Sequence, residues 1–236
     1  MPIIGAEDAA QLRDVFAQQL ARDITLVHYT QRASRLIVPG VVPCATCRDN
    51  LELLEELVGL SGHLALEVHD FKAEAELAAQ RGIEKIPATV VRGADGSERA
   101  RFFGVPSGYE FTTLLEDILD VGGSGPQLSP ETSAALAGLD DDVHIQVFVT
   151  PTCPYCPAAV RMGHKLALGS EKVVADMVMA TEFPQLSQRY GVMAVPKIVI
   201  NETRSFEGAV AEDLFVEQVV NASAGAEPPS GTLTDD

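Results

Sequence analysis

Two cysteine pairs, each followed by a proline 43 positions after its first cysteine, set the narrowest limit on how this 236-residue chain can fold. The pairs are Cys44-Ala45-Thr46-Cys47 and Cys153-Pro154-Tyr155-Cys156. The prolines are Pro87, after Ile86, and Pro196, after Val195. Gly82 and Gly191 each lie five positions before their proline, behind Gln80-Arg81 and Gln188-Arg189. The resulting period of 109 residues is too long for a solenoid repeat and suits a duplicated small domain.

Each half carries the same order of patterns. A helical stretch (about 7–21, and about 130–138) precedes a β-branched run, Ile24–Thr30 or Val143–Thr150. The cysteine pair follows and opens a second helix, in which Leu51, Leu54 and Val58 recur at three- and four-residue spacing. A further strand pattern, His63–Asp70 or Lys172–Ala180, leads to a helix ending at Gly82 or Gly191. After the proline come Ala88–Arg92 with Ala100–Phe103, and Lys197–Asn201 with Ser205–Glu207; Asp95-Gly96 is a hairpin signal. A last helix closes each half, and Ser107 and Glu110 have capping-box spacing in the first. The order is βαβ then ββα, an α/β arrangement with a mixed sheet flanked by helices.

Val121–Gln127 is turn-rich, and Ser129-Pro130 has the form of a helix N-cap followed by proline. The expected domains are therefore 1–122 with the CATC pair and 123–222 with the CPYC pair. Residues 223–236 lack periodicity and are expected to be a disordered tail. The halves differ between strand and cysteine: Thr30 to Cys44 spans fourteen positions through Gln31–Pro43, against three from Thr150 to Cys153. An inserted loop beside the first site is expected.

Acids outnumber bases 34 to 17, a surface that repels phosphate and argues against nucleic acid. No apolar stretch approaches membrane-span length, and the first residues lack a secretory pattern, which points to the cytoplasm. In that compartment four cysteines are metal ligands or redox groups more often than structural bridges.

A cysteine at the mouth of a helix faces unpaired N–H groups and the positive end of the dipole, which favour a thiolate. A second cysteine three residues on can attack a mixed disulfide intramolecularly. Pro154 suits a first helical position, where its missing N–H goes unneeded. Zinc is the competing chemistry, but a zinc ribbon separates its pairs by roughly 15–20 residues. Here 105 residues lie between Cys47 and Cys153. His28, His63, His69, His144 and His164 show no ligand spacing and read as surface or half-buried residues. On the helix after the first pair, Arg48 is outnumbered by Asp49, Glu52, Glu55 and Glu56; Cys153–Leu168 carries Arg161 and Lys165 without acids. That difference gives Cys153 the lower expected thiol pKa.

The CPYC pair, the paired prolines and the duplicated order resemble the tandem thioredoxin-fold protein disulfide oxidoreductases, also described as glutaredoxin-like proteins. The likeness is densest at Val147–Lys165 (VFVTPTCPYCPAAVRMGHK), Val192–Ile200 (VMAVPKIVI) and Phe103–Asp120 (FGVPSGYEFTTLLEDILD). It implies two thioredoxin-like domains, each a mixed β-sheet flanked by helices and each with a redox disulfide. It implies Cys153 as attacking and Cys156 as resolving cysteine, with Cys44 and Cys47 as the corresponding first pair. It implies cis prolines at Pro196 and Pro87, with the backbone of Val195 and Ile86 pairing with an extended substrate segment. The implied reaction is reduction, oxidation or rearrangement of protein disulfides. No bound cofactor or metal is implied; electrons would come from an external NADPH-dependent, thioredoxin-reductase-like flavoprotein. CATC departs from the pattern in lacking an aromatic residue, so a relay role is open for it. Two other readings stand beside this one: a dedicated electron donor to a peroxiredoxin, and a non-enzymatic protein-binding or zinc-binding module.

Overall fold

The structure, a computed structural model, describes residues 2–31 and 43–225. Most of the expected inserted loop and of the expected tail lies outside the described residues. The chain divides into two compact units. The first is Met1–Glu98, Phe102–Val105 and Ile118–Ser124; the second is Arg99–Arg101, Pro106–Asp117 and Gly125–Asp236.

In the first unit, α1 (Ala6–Gln19) precedes β1 (Ile24–Thr30), α2 (Cys47–Val58), β2 (Leu64–Asp70), α3 (Ala75–Gln80), β3 (Ala88–Arg92) and the Phe102–Phe103 end of β4 (Ala100–Phe103), whose Ala100 and Arg101 fall in the second unit. The strand order is β2-β1-β3-β4. β1 is parallel to β2 and antiparallel to β3. Nearly every residue of β1 is buried, as expected of a central strand covered on both faces. β2 stands at an edge and is mostly half-buried or exposed. α2 lies on β1 and β2 and turns inward Cys47, Asn50, Leu53, Leu54 and Leu57, a stripe at helical spacing. Leu54 and Leu57 are fully buried; burial of such a side chain contributes about 1.5–3 kcal/mol.

The second unit repeats the plan. α4 (Glu110–Gly122), which runs on into the first unit's residues, is followed by α5 (Pro130–Ala137), β5 (Val143–Val149), α6 (Cys156–Gly169), β6 (Val173–Met179), α7 (Pro184–Arg189), β7 (Lys197–Ile200), β8 (Arg204–Glu207) and α8 (Glu212–Ser223). The strand order is β6-β5-β7-β8, with β5 parallel to β6 and antiparallel to β7. The Ser129 N-cap forms: Thr132 N–H donates to Ser129 Oγ at 3.0 Å.

Several expectations change in detail. Both helices after the cysteine pairs begin at the second cysteine, and the first cysteine stands in the turn before it. Pro157, rather than Pro154, occupies the opening of α6. Glu110 forms no capping box with Ser107. Its carboxylate is buried and Oε2 accepts from Thr113 Oγ1 at 2.8 Å. His28 and His164 are fully buried, not surface residues, because an opposing element covers the face each occupies. Among the described residues no helix is long and apolar enough to cross a membrane.

Candidate functional site

At the second pair, Cys153 and Cys156 form a disulfide with Cα atoms 5.5 Å apart. β5 ends at Val149, and the turn Thr150–Tyr155 delivers the pair to the N-terminus of α6. Cys153 N–H donates to the Thr150 carbonyl at 3.2 Å, which fixes the turn. The two sulfurs are not equivalent: Cys153 is 8% exposed and Cys156 is sealed at 0%. An attacking sulfur must meet a macromolecule, whereas a resolving sulfur need reach only its neighbour. Val195-Pro196 is a cis peptide, and the Val195 carbonyl oxygen lies 3.7 Å from Cys153 Sγ. Tyr155 and Met193 stand on this rim, 69% and 91% exposed.

The turn leans on one glycine. Gly108 has φ +63°, and a Cβ there would meet the Pro151 carbonyl oxygen at 2.2 Å. Tyr109 N–H donates to the same oxygen at 3.2 Å. Gly108→Ala is expected to displace the Thr150–Cys153 turn, costing about 1–3 kcal/mol and lowering the thermal midpoint by several degrees. A midpoint within one degree of wild type would show that the turn moves aside freely.

Under α6 lies a buried ionic cluster that the sequence did not reveal. Asp117 Oδ1 accepts from Arg161 Nη1, and Asp117 Oδ2 is hydrogen-bonded to His164 Nδ1. Arg161 Nε is 2.7 Å from Glu116 Oε2. Glu110 is buried beside them, and burial pushes its carboxyl up to about 7 against the opposing Thr113 hydrogen bond. The sequence showed α6 as basic without acids; α4 supplies the acids. Arg161 is thus answered by two carboxylates, and it no longer separates the two sites as a source of positive potential. Arg48 on α2 is likewise paired with Glu52 at 2.6 Å.

At the first pair, Cys44 and Cys47 form a disulfide with the same Cα separation, 5.5 Å. Cys44 is half-buried and Cys47 is 3% exposed, repeating the asymmetry of the second pair. Ile86-Pro87 is a cis peptide. Cys44 N–H donates to Gln31 Oε1 at 2.9 Å, a contact that sequence reasoning missed. His28, Asn50 and Thr89 are buried together beneath this pair. Among the described residues no group of three or more His, Cys, Asp or Glu side chains is placed to hold a metal ion.

A family model described as "Thioredoxin domain" matches residues 143–221. A thioredoxin of Methanocaldococcus jannaschii is 40% identical over 78 residues, 33% of this chain and 92% of that protein. An alkyl hydroperoxide reductase component of Xanthomonas campestris pv. phaseoli is 25% identical over 197 residues, 83% of this chain and 34% of that protein. The chain spans about a third of the length of the first curated relatives it matches. Among solved structures, a protein disulfide oxidoreductase from Aeropyrum pernix K1 superposes with TM-score 0.84 at 27% identity, covering 97% of each chain. With a disulfide at the head of a helix and a cis proline 43 positions after its first cysteine in both repeats, this chain belongs to the thioredoxin family, as a tandem member carrying two CxxC sites.

Proposed function

We propose that the chain is a thiol–disulfide oxidoreductase acting on protein disulfides at its CxxC dithiols, within the two modules expected at 1–122 and 123–222. The unequal exposure of Cys153 and Cys156 carries the reading. In the reducing direction the Cys153 thiolate attacks a substrate sulfur, the substrate S–S bond breaks, and one substrate thiolate leaves. Cys156 then attacks Cys153 Sγ, frees the second substrate thiolate and closes the Cys153–Cys156 disulfide. Two electrons pass to the substrate. The Val195 backbone beside Pro196 receives the extended substrate segment, and Ile86 with Pro87 does so for Cys44 and Cys47. The site has no need of a bound cofactor. A separate NADPH-dependent flavoprotein of the thioredoxin-reductase kind, in a reducing cytoplasm, restores the dithiol.

The experiment is reduction of insulin disulfides. In a Cys44→Ser/Cys47→Ser background, Cys153→Ser is expected to lose at least about a hundredfold of the remaining activity, because no other group there replaces the attacking thiolate. Retention of more than half of the activity would overturn the assignment of Cys153.

A second reading has its own support in the likeness to the alkyl hydroperoxide reductase component. On it the chain passes electrons to a peroxiredoxin. Peroxide turnover with a purified peroxiredoxin, faster by tenfold or more than insulin reduction at matched concentration, would favour this partner.

A further inference from the structure

The two cysteine pairs have unlike surroundings at the surface. Around Cys153 the chain runs from Val143 to Val160 without an Asp, Glu, Lys or Arg, and Tyr190–Pro196 is equally free of them. Pro154, Tyr155, Met193 and Ala194 are exposed there. At the matching positions of the first repeat stand Ala45, Thr46, Glu84 and Lys85, with Arg48 and Asp49 directly after the pair. Glu84, which takes the place of Met193, is exposed as well. In a chain with 34 acids and 17 bases, an uncharged rim around one disulfide is a local exception.

Met193 is the extreme member of that rim. It is 91% exposed, so its side chain packs against almost nothing in its own chain. Met177 and Met179 are sealed inside β6, and Met162 on α6 is half-buried. Among the described methionines only Met193 offers its sulfur to solvent. The exchange site fixes its place. The Val195 carbonyl oxygen lies 3.7 Å from Cys153 Sγ, and Met193 precedes Val195 by two residues. Two residues of chain span at most about 7 Å, so Met193 stands within that reach of Val195. A polypeptide that brings a sulfur to Cys153 must cross this rim. The cysteines themselves keep no record of peroxide. In the disulfide they hold no thiol, and in the dithiol a sulfenic acid on Cys153 is closed by Cys156 to the same disulfide with loss of water. A thioether has no such neighbour and keeps the oxygen it gains.

We propose that Met193 is a site of oxidation by peroxides that controls the access of protein substrates to Cys153, and that the Cys44–Cys47 site, with Glu84 in the matching place, escapes this control. This rests on the reading of Cys153–Cys156 as an exchanging dithiol. The Met193 sulfur attacks the terminal oxygen of hydrogen peroxide or an organic hydroperoxide. An S–O bond forms, the O–O bond breaks, and the hydroperoxide proton moves to the leaving oxygen, which departs as water or an alcohol. The sulfur loses two electrons and the peroxide gains them. The sulfoxide places a strong dipole and an acceptor oxygen on an otherwise apolar rim. An apolar substrate segment that docks there strips this oxygen of its water without replacing the hydrogen bond. Docking weakens while the sulfur chemistry at Cys153 is untouched. A methionine sulfoxide reductase, driven by a dithiol, removes the oxygen as water and restores the rim.

The test uses the full chain in a Cys44→Ser/Cys47→Ser background, treated in its disulfide state with hydrogen peroxide and then with catalase. Cleavage after Arg189 and Lys197 releases Tyr190–Lys197, which contains Met193 and no other methionine. Mass spectrometry should find Met193 gaining one oxygen at least about tenfold faster than Met162, Met177 or Met179. With that oxygen in place, KM for insulin reduction is expected to rise about fivefold and kcat to stay within about twofold. The rate with the small disulfide 5,5′-dithiobis(2-nitrobenzoate), which needs no docking on the rim, should also stay within about twofold. Sulfoxide reductase should return KM to its untreated value. Met193→Leu has no thioether and should show one KM before and after peroxide, whereas Met193→Glu should start with the raised KM. Equal oxidation of the buried and exposed methionines, an unchanged KM with Met193 fully oxidised, or a peroxide-induced rise that persists in Met193→Leu overturns the proposal and leaves the exchange reading intact. Absence of insulin reduction before any peroxide would instead overturn the exchange reading, and this proposal with it.

Discussion

Asp117→Ala is expected to destabilise the protein by about 3–5 kcal/mol, the usual consequence of stripping the partner from a buried charge. Asp117 and His164 side chains are both 0% exposed, and Arg161 is 11% exposed. The guanidinium on α6 would remain buried without its most enclosed carboxylate, and Glu116, which still faces it, is half exposed. The His164 ring would lose its Nδ1 partner as well. For a chain of this size the thermal midpoint should fall on the order of 10 °C. Asp117→Asn keeps the shape and one acceptor and should fall between the two. A midpoint for Asp117→Ala within two degrees of wild type would show that α4 and α6 are not held by this cluster.

The second large effect is set by pH. Glu110 is fully buried on α4, and desolvation raises its carboxyl from 4.5 to about 7 in the folded protein. Between those values the folded state binds a proton that the unfolded state has released. Its contribution is therefore complete below about 4.5 and is lost as pH rises through 7. The shift corresponds to about 3 kcal/mol, with the Thr113 hydrogen bond and the neighbouring cluster already included. Glu110→Gln stays neutral at every pH and should gain on wild type steadily from pH 5 to pH 8. A difference in midpoint that stays flat across that range would mean that the carboxyl titrates in the fold as it does in the unfolded chain.

These two residues also mark where sequence reading stops. Glu110, Thr113 and Asp117 recur on one face of α4 at three- and four-residue spacing, where the sequence offered only capping-box spacing for Glu110. That face meets α6, where Arg161 and His164 turn to it. Lone His28 in the apolar run Ile24–Thr30 gave a similar warning, since a central strand leaves its side chains no water to face. Along the chain the CPYC helix has no acid beside Arg161; in the fold Glu116 and Asp117 of α4 stand against it, because potential depends on neighbours supplied by other elements.

The order of elements in each repeat was legible in the sequence. Strand Ala88–Arg92 and strand Ala100–Phe103 lie where periodicity places them, and the Ser129 cap forms as its residue type requires. Spacing and periodicity are local properties, governed by backbone geometry and by which face of one element is apolar. They determined the two βαβ–ββα units and put a cysteine pair at the head of a helix in each. Which polar groups lose water was decided only by the packing of separate elements, because desolvation belongs to the assembled environment and a residue's own neighbours in the chain do not specify it.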